Sequence, residues 1–362
     1  MSRVESMRIC LVGPSDRNGS GWPLPLLREH LRAAGHEVEL RDRGAAATPD
    51  ADVVHAFGWT AARETAGLAG TCTWIVTPSL STAVGGVPPD EVERLAAAAS
   101  SLVVRSSREQ EEVHRLGVPW FRTWVLPVGV DVETFARKGA MANRTDRVRL
   151  VTQASGADDG AVDVITALTK LDDMELVLLL TCGSDEATAP ELARHVDELR
   201  AAARSAGVSE RVAVVAPSSP GERAWWLRSA HVAVAVPHAP TAHDFAAEAM
   251  SCGAPVVATP VDALFDLVVH GVTGFHVPVG EPVSLARAVR ALVDDDFAVE
   301  AHGMAAADRA LSRFAWPRVA HELAGVYHRV AQGSLVPEDG ASDDEDPGDL
   351  DLLAPDDAPE VA

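Results

Sequence analysis

The chain has 362 residues, a formal net charge of −22, 47% hydrophobic residues and only 5% aromatic ones. That length can close two domains with full cores, and an Ala/Val/Leu-rich, aromatic-poor sequence suits α/β packing rather than a β-sandwich. The acidic balance argues against nucleic acid and anionic membranes as main partners, and the scattered Cys10, Cys72, Cys182 and Cys252 show neither paired nor metal-ligand spacing.

No charged and apolar leader opens the chain and no apolar run reaches membrane-span length, so a cytoplasmic protein with reduced thiols is expected. Residues 7–12 predict a first strand ending at Gly13, followed by a loop holding Gly19 and Gly21. Those two glycines either let backbone N–H groups approach a ligand or serve a flexible turn. An amphipathic helix follows over 23–34, closed by Gly35, and a second strand over 37–40. The third strand, 52–58, carries His55 towards its exit, where ligands gather in such sheets; a structural corner histidine is the other reading. Residues 74–80 predict a fourth strand, 90–99 a helix and 101–107 a strand with a hydroxyl-rich end. Ser107 is the expected N-cap of a helix over 108–116.

Residues 138–147 are polar, with Gly and Asn, and are expected to link two domains. Further strands are expected over 148–152, 175–182, 211–216, 231–236, 255–258 and 275–277. Helices are expected over 190–206, 222–229, 244–251 and 284–293, with Trp225 and Trp226 packing their helix on the sheet. Asp244 is the expected N-cap of the 244–251 helix, and Gly253 and Pro255 stop it. An amphipathic helix runs through 314–327. The tail carries eleven acidic residues from Glu338 to Glu360 and no Lys or Arg after Arg329, so it is expected to be disordered.

A strand, a helix N-terminus and a second strand over 231–258 present backbone N–H groups to a phosphate, with Glu248 one turn into the helix, where a carboxylate reaches a ribose diol. Such a ligand-facing Glu248 has no packing role. Its segment, Glu248-Ala-Met-Ser-Cys-Gly-Ala-Pro-Val-Val-Ala258, resembles the donor half of the retaining GT-B glycosyltransferases of family four. Gly271-Val-Thr-Gly-Phe-His-Val277 is similar to the Gly-x-x-Gly that follows in the family, and Pro127-Val-Gly-Val-Asp-Val-Glu-Thr-Phe135 to the motif closing its first domain. The departures are Pro240 at the family's first Glu, His243 at its helix-opening Gly, Ser79 where a His is usual, and Ala154 and Asp159 at the diphosphate-binding Arg and Lys.

The resemblance implies an α/β chain of two Rossmann-like domains facing a cleft: 1–137 on the acceptor side, a linker over 138–147, and 148–312 on the donor side. A crossover helix over 313–332 and an acidic tail over 333–362 complete it. It implies a glycosyltransferase that takes a UDP- or GDP-type nucleotide sugar as donor substrate, with no cofactor or metal and an unknown acceptor. The donor-binding candidates are Glu248, His243, Asp244, Phe245 and Gly253, with Gly13, Gly19, Gly21, His55 and His238 as further cleft candidates. The departures motivate an alternative, an inactive GT-B scaffold that binds a sugar nucleotide or helps an active transferase. An epimerase on the same fold is a third reading.

Overall fold

The computed structural model describes residues 6–13, 22–42, 44, 50–78, 87–156, 158–180, 189–240 and 244–334. Gly19, Gly21, Ser79, Cys182, His243 and the tail from residue 335 lie outside the described residues. The first half runs β1 (Arg8–Val12), α1 (Leu24–Ala33), β2 (Glu37–Arg41), β3 (Val53–Phe57), α2 (Trp59–Thr65), β4 (Thr73–Thr77), α3 (Pro89–Ala98), β5 (Ser101–Val104), α4 (Ser107–Arg115) and β6 (Thr123–Val125). These strands form one parallel sheet in the order β2-β1-β3-β4-β5-β6. The second half opens with β7 (Val148–Ala154), α5 (Ala161–Ala167), β8 (Met174–Leu180), α6 (Ala189–Ser205), β9 (Val212–Val215), α7 (Pro220–Leu227) and β10 (Val232–Ala235). It continues with α8 (Asp244–Ser251), β11 (Val256–Ala258), α9 (Ala263–Leu267), β12 (Gly274–His276), α10 (Pro282–Val293), α11 (Asp296–Arg309) and α12 (Trp316–Ala331). Its strands form a second parallel sheet, β12-β11-β10-β7-β8-β9.

The central strands are apolar runs because helices cover both faces of a parallel sheet. β3 and β5 are buried along their whole length. Helices contribute one stripe each; α1 buries Leu24, Leu27 and Leu31 at helical spacing. The chain crosses between the sheets twice at one place. Val130 N donates to Phe314 O at 2.6 Å and Trp316 N to Val130 O at 3.3 Å. A Cβ on Gly129 would overlap the Trp316 ring, so glycine is what lets the two crossings touch. α12 then returns to the first sheet, where Trp316, Val319, Leu323 and Tyr327 share a core with Leu24, Leu27 and Leu31. A π-helical turn over 310–314 joins it to α11.

Several expectations are corrected. Ser106, not Ser107, caps α4: its hydroxyl accepts from Glu109 N at 3.1 Å. Asp244 is the first helical residue of α8 rather than its cap. Residues 138–147, the expected linker, are tied to the elements around them. Arg228 donates to the carbonyls of Thr134, Ala136 and Ala140, Ala142 N donates to Trp225 O, and Arg149 donates to Asn143 O. Sequence periodicity also missed α2, α5, α9 and α11. Three of these are seven residues or shorter, and α11 has no single apolar stripe because both of its sides are partly covered.

Candidate functional site

In each sheet the strand order reverses next to its first strand, between β1 and β3 and between β7 and β10. Open α/β sheets hold ligands in that crevice, beyond the carboxyl ends of the strands. In the second sheet the crevice contains a cavity of about 30 Å³ walled by Thr152, Gln153, Asp159, Ala235, Pro237 and Phe245, among others. In the first sheet Gly13 closes the matching crevice tightly. A Cβ there would stand 3.0 Å from both Leu24 Cδ1 and Phe57 Cβ.

α8 starts at the edge of the second crevice. Phe245, in its first turn, is 3% exposed and forms a wall of the cavity. Glu248 follows one turn later and is 7% exposed. Its carboxylate accepts from Arg223 Nε, and Arg223 Nη2 donates to Gln153 Oε1 at 2.9 Å. Glu248 is therefore a packed, ion-paired residue, which corrects the expectation that it has no structural role. Gly253 falls at the other end of α8, about 14 Å along the axis from Asp244 by helical rise. With φ +87° it caps the helix, and a Cβ would press on the Arg137 side chain. It is not placed to touch a ligand at the helix start.

Asp159, at the position where the resemblance calls for a lysine, turns its carboxylate back on its own loop. It accepts from Ser155 N at 2.6 Å, Gly156 N at 2.9 Å and Ala161 N at 2.8 Å. These N–H groups form an anion-holding concavity, and Asp159 fills it. His195 Nε2 lies 3.6 Å from the same carboxylate. Ala154 is the buried last residue of β7 and offers no charge. His238 Nε2 lies 2.6 Å from Asp163 Oδ2 in the first turn of α5. That pairing holds the His238 side chain against α5.

The exits of the two sheets meet. Ser106 Oγ donates to Asp262 Oδ1 at 2.9 Å; Ser107 donates to Asp266 through its backbone N at 2.6 Å and through Oγ at 2.7 Å. Burial disfavours the charge of Arg105, but the neighbouring Glu109 and Asp262 carboxylates outweigh it and raise its pKa. A second cavity, walled by Arg105, Gly129, Asp244, Asp266 and Phe314, lies between the sheets beside α8. His55 is a correction. It is fully buried, 2.7 Å from Tyr327 Oη and 2.8 Å from Thr77 Oγ1, so it ties α12 to the first sheet instead of facing the cleft. Arg105, Arg223, Asp262 and Asp266 were missed from sequence. Arg223, Asp262 and Asp266 acquire their partners from other elements, while Arg105 also pairs with Glu109 four residues along the chain. Among the described residues, no cluster of side chains could hold a metal ion and no helix is long and apolar enough to cross a membrane.

Residues 149–295 match the family described as glycosyl transferases group 1. The chain is 32% identical over 258 residues to a D-inositol 3-phosphate glycosyltransferase of Xylanimonas cellulosilytica, covering 66% of this chain and 59% of that protein. It is 30% identical over 268 residues to D-inositol 3-phosphate glycosyltransferase 1 of Catenulispora acidiphila, covering 69% and 62%. The matched part thus spans about three fifths of those relatives. The fold is similar to that of Anabaena HepE in complex with UDP and glucose, with a TM-score of 0.69 at 16% identity over 89% of this chain and 99% of that one. It is also similar to sucrose-phosphate synthase from Thermosynechococcus elongatus, with a TM-score of 0.71 at 18% identity over 91% and 100%. At these identities the likeness is one of fold.

Proposed function

We propose, from the premise that this chain is a GT-B member of the glycosyl transferases group 1 family, that it moves a sugar from a nucleoside diphosphate donor of UDP or GDP type to an acceptor. The observation that carries this reading is the crevice between β7 and β10, with the start of α8 at its edge and Glu248 one turn inside. In it, residues 148–312 hold the donor, residues 1–137 face the acceptor, and 138–147 join them. The diphosphate takes the N-terminus of α8, where backbone N–H groups and the helix dipole favour an anion. Asp244 borders that position, Phe245 walls it, and Glu248 accepts from the ribose hydroxyls; His243, outside the described residues, is the sequence's further candidate there.

Transfer proceeds with retention. The bond from the anomeric carbon to the phosphate oxygen breaks, and the acceptor oxygen bonds to that carbon on the same face. The acceptor's proton passes to the departing phosphate, and the nucleoside diphosphate leaves. Catalysis of this kind rests on positioning and on stabilising charge, which needs no dedicated base. Titration calorimetry with UDP, GDP, UDP-hexoses and GDP-hexoses tests donor binding, and release of nucleoside diphosphate with candidate acceptors tests transfer. Glu248→Gln is expected to weaken nucleotide binding by about 1.5–3 kcal/mol, the usual worth of hydrogen bonds to a charged group. Binding without release for any acceptor tried would count for the helper-protein alternative.

A further inference from the structure

The crevice in the second sheet is rich in carboxylates. Asp159 walls its cavity, and Glu248 and Asp244 stand on α8 beside it. A nucleoside diphosphate brings more negative charge, and in a partly desolvated site like charges repel strongly. The residue that can balance this charge comes from α7. Ser219 caps that helix by accepting from Glu222 N at 3.2 Å, Pro220 opens it, and Arg223 follows in its first turn. From there the side chain reaches across to α8 and β7.

Its guanidinium is engaged on one side. Nε donates to Glu248 and Nη2 to Gln153, while Nη1 makes no hydrogen bond among the described residues. The side chain is 13% exposed, which leaves the Nη1 donor pair available to an incoming ligand. The guanidinium carbon lies 5.8 Å from the centre of the Phe245 ring. Both Gln153 and Phe245 are walls of the crevice cavity, so Arg223 touches two sides of the space without belonging to the α8 motif.

We propose that Arg223 is the donor-binding cation of this site, holding the diphosphate through its free Nη1 edge and exchanging its contact with Glu248 for the ligand. In the empty site Arg223 neutralises Glu248. In the loaded site the ribose hydroxyls donate to Glu248, and the guanidinium turns its planar fork to phosphate oxygens. The inference rests on the donor-site reading above and names the residue that discriminates charged from uncharged ligands. It also accounts for the site having Ala154 and Asp159 where two cations would otherwise stand: the positive charge has moved to a different helix.

The test compares ligands with and without phosphates. Affinities of UDP, GDP, uridine, guanosine and inorganic pyrophosphate are measured by calorimetry for the wild type, Glu248→Gln, Arg223→Met and Arg223→Lys. The double variant Arg223→Met/Glu248→Gln avoids a stranded buried carboxylate, and circular dichroism confirms that each variant folds. The expected result is a loss of about 10–100-fold for the diphosphates and pyrophosphate, in Arg223→Met relative to the wild type and in the double variant relative to Glu248→Gln alone, the usual worth of charge-assisted hydrogen bonds. Nucleoside affinity should change by less than about threefold in the double variant relative to Glu248→Gln alone, and Lys should recover part of the diphosphate binding. An equal loss for nucleosides and diphosphates would mean that Arg223 only props Glu248, and would overturn the proposal. Diphosphate affinity in the double variant equal to that of Glu248→Gln alone overturns it too. A wild type that binds none of the five ligands removes the donor-site reading itself, and this inference with it.

Discussion

Ser106 Oγ donates a 2.9 Å hydrogen bond to Asp262 Oδ1, joining the exit of β5 in the first sheet to the exit of β11 in the second. Asp262 makes this contact from φ +47° and ψ −131°, and it is the only non-glycine with positive φ among the described residues. Such a conformation costs on the order of 1–3 kcal/mol and persists only where surrounding contacts hold it. Arg105, Ser106 and the neighbouring Ser107–Asp266 pair supply those contacts. A double-mutant cycle of Ser106→Ala and Asp262→Asn should therefore give a coupling energy of about 1–3 kcal/mol in denaturant unfolding. Additive effects would show that the two residues are neighbours without interacting.

Burial lowers the His55 pKa to about 3, from an ordinary value of 6.5. Between those values the unfolded chain binds a proton that the native chain refuses, so stability falls as pH drops from about 6.5 towards 3. The slope for one such group is about 1.4 kcal/mol per pH unit. His36, His270 and His276 are also lowered, chiefly by burial, and add to the same acid limb. His55→Gln should flatten the stability curve between pH 6 and 4 by about one proton's worth while lowering stability at pH 7. An unchanged slope would place the titration elsewhere.

Gly160 and Gly271 share φ +74°, but their surroundings differ. A Cβ on Gly160 would overlap the carbonyl oxygen of Val236, whereas nothing lies within 4 Å of the Gly271 position. Gly271→Ala then carries only the backbone penalty of about 1–3 kcal/mol. Gly160→Ala adds overpacking of about 1–3 kcal/mol and should lower the melting temperature further. Equal drops would mean that the β10 exit yields freely at Val236, next to the cavity wall at Pro237.

Arg149 is 4% exposed. It pairs with Glu175 at 2.6 Å and also holds Ser229 Oγ and Asn143 O at 2.9 and 2.8 Å. Removing one partner of such a network leaves a half-buried charge, so Arg149→Met should cost about 3–5 kcal/mol. Because Arg149 also anchors the segment 138–147, limited proteolysis should cut the variant there first. A stable variant with no new cleavage would show that Arg228 alone anchors the segment.

Length, apolar runs and helix-stop residues in the sequence were enough to read nearly all the strands, the division into two α/β halves and the segment from Glu248 to Ala258 as the likeness to a known family. Those features are local: a strand buried on both faces must be apolar, and a helix must present one apolar stripe. The roles of individual polar residues were not legible in the same way. Glu248 looked free to meet a ligand until Arg223, 25 residues away, arrived from α7. His55 looked like a cleft residue until Tyr327, 272 positions later, covered it from α12. Ser106 and Asp262 are separated by 156 positions and meet only because both sheets turn their exits to one cleft. A polar side chain takes its charge state and availability from whatever packs against it. That neighbour is chosen by the packing of distant elements, so the sequence by itself determined the scaffold and the tertiary structure decided which of its charges remain free to bind.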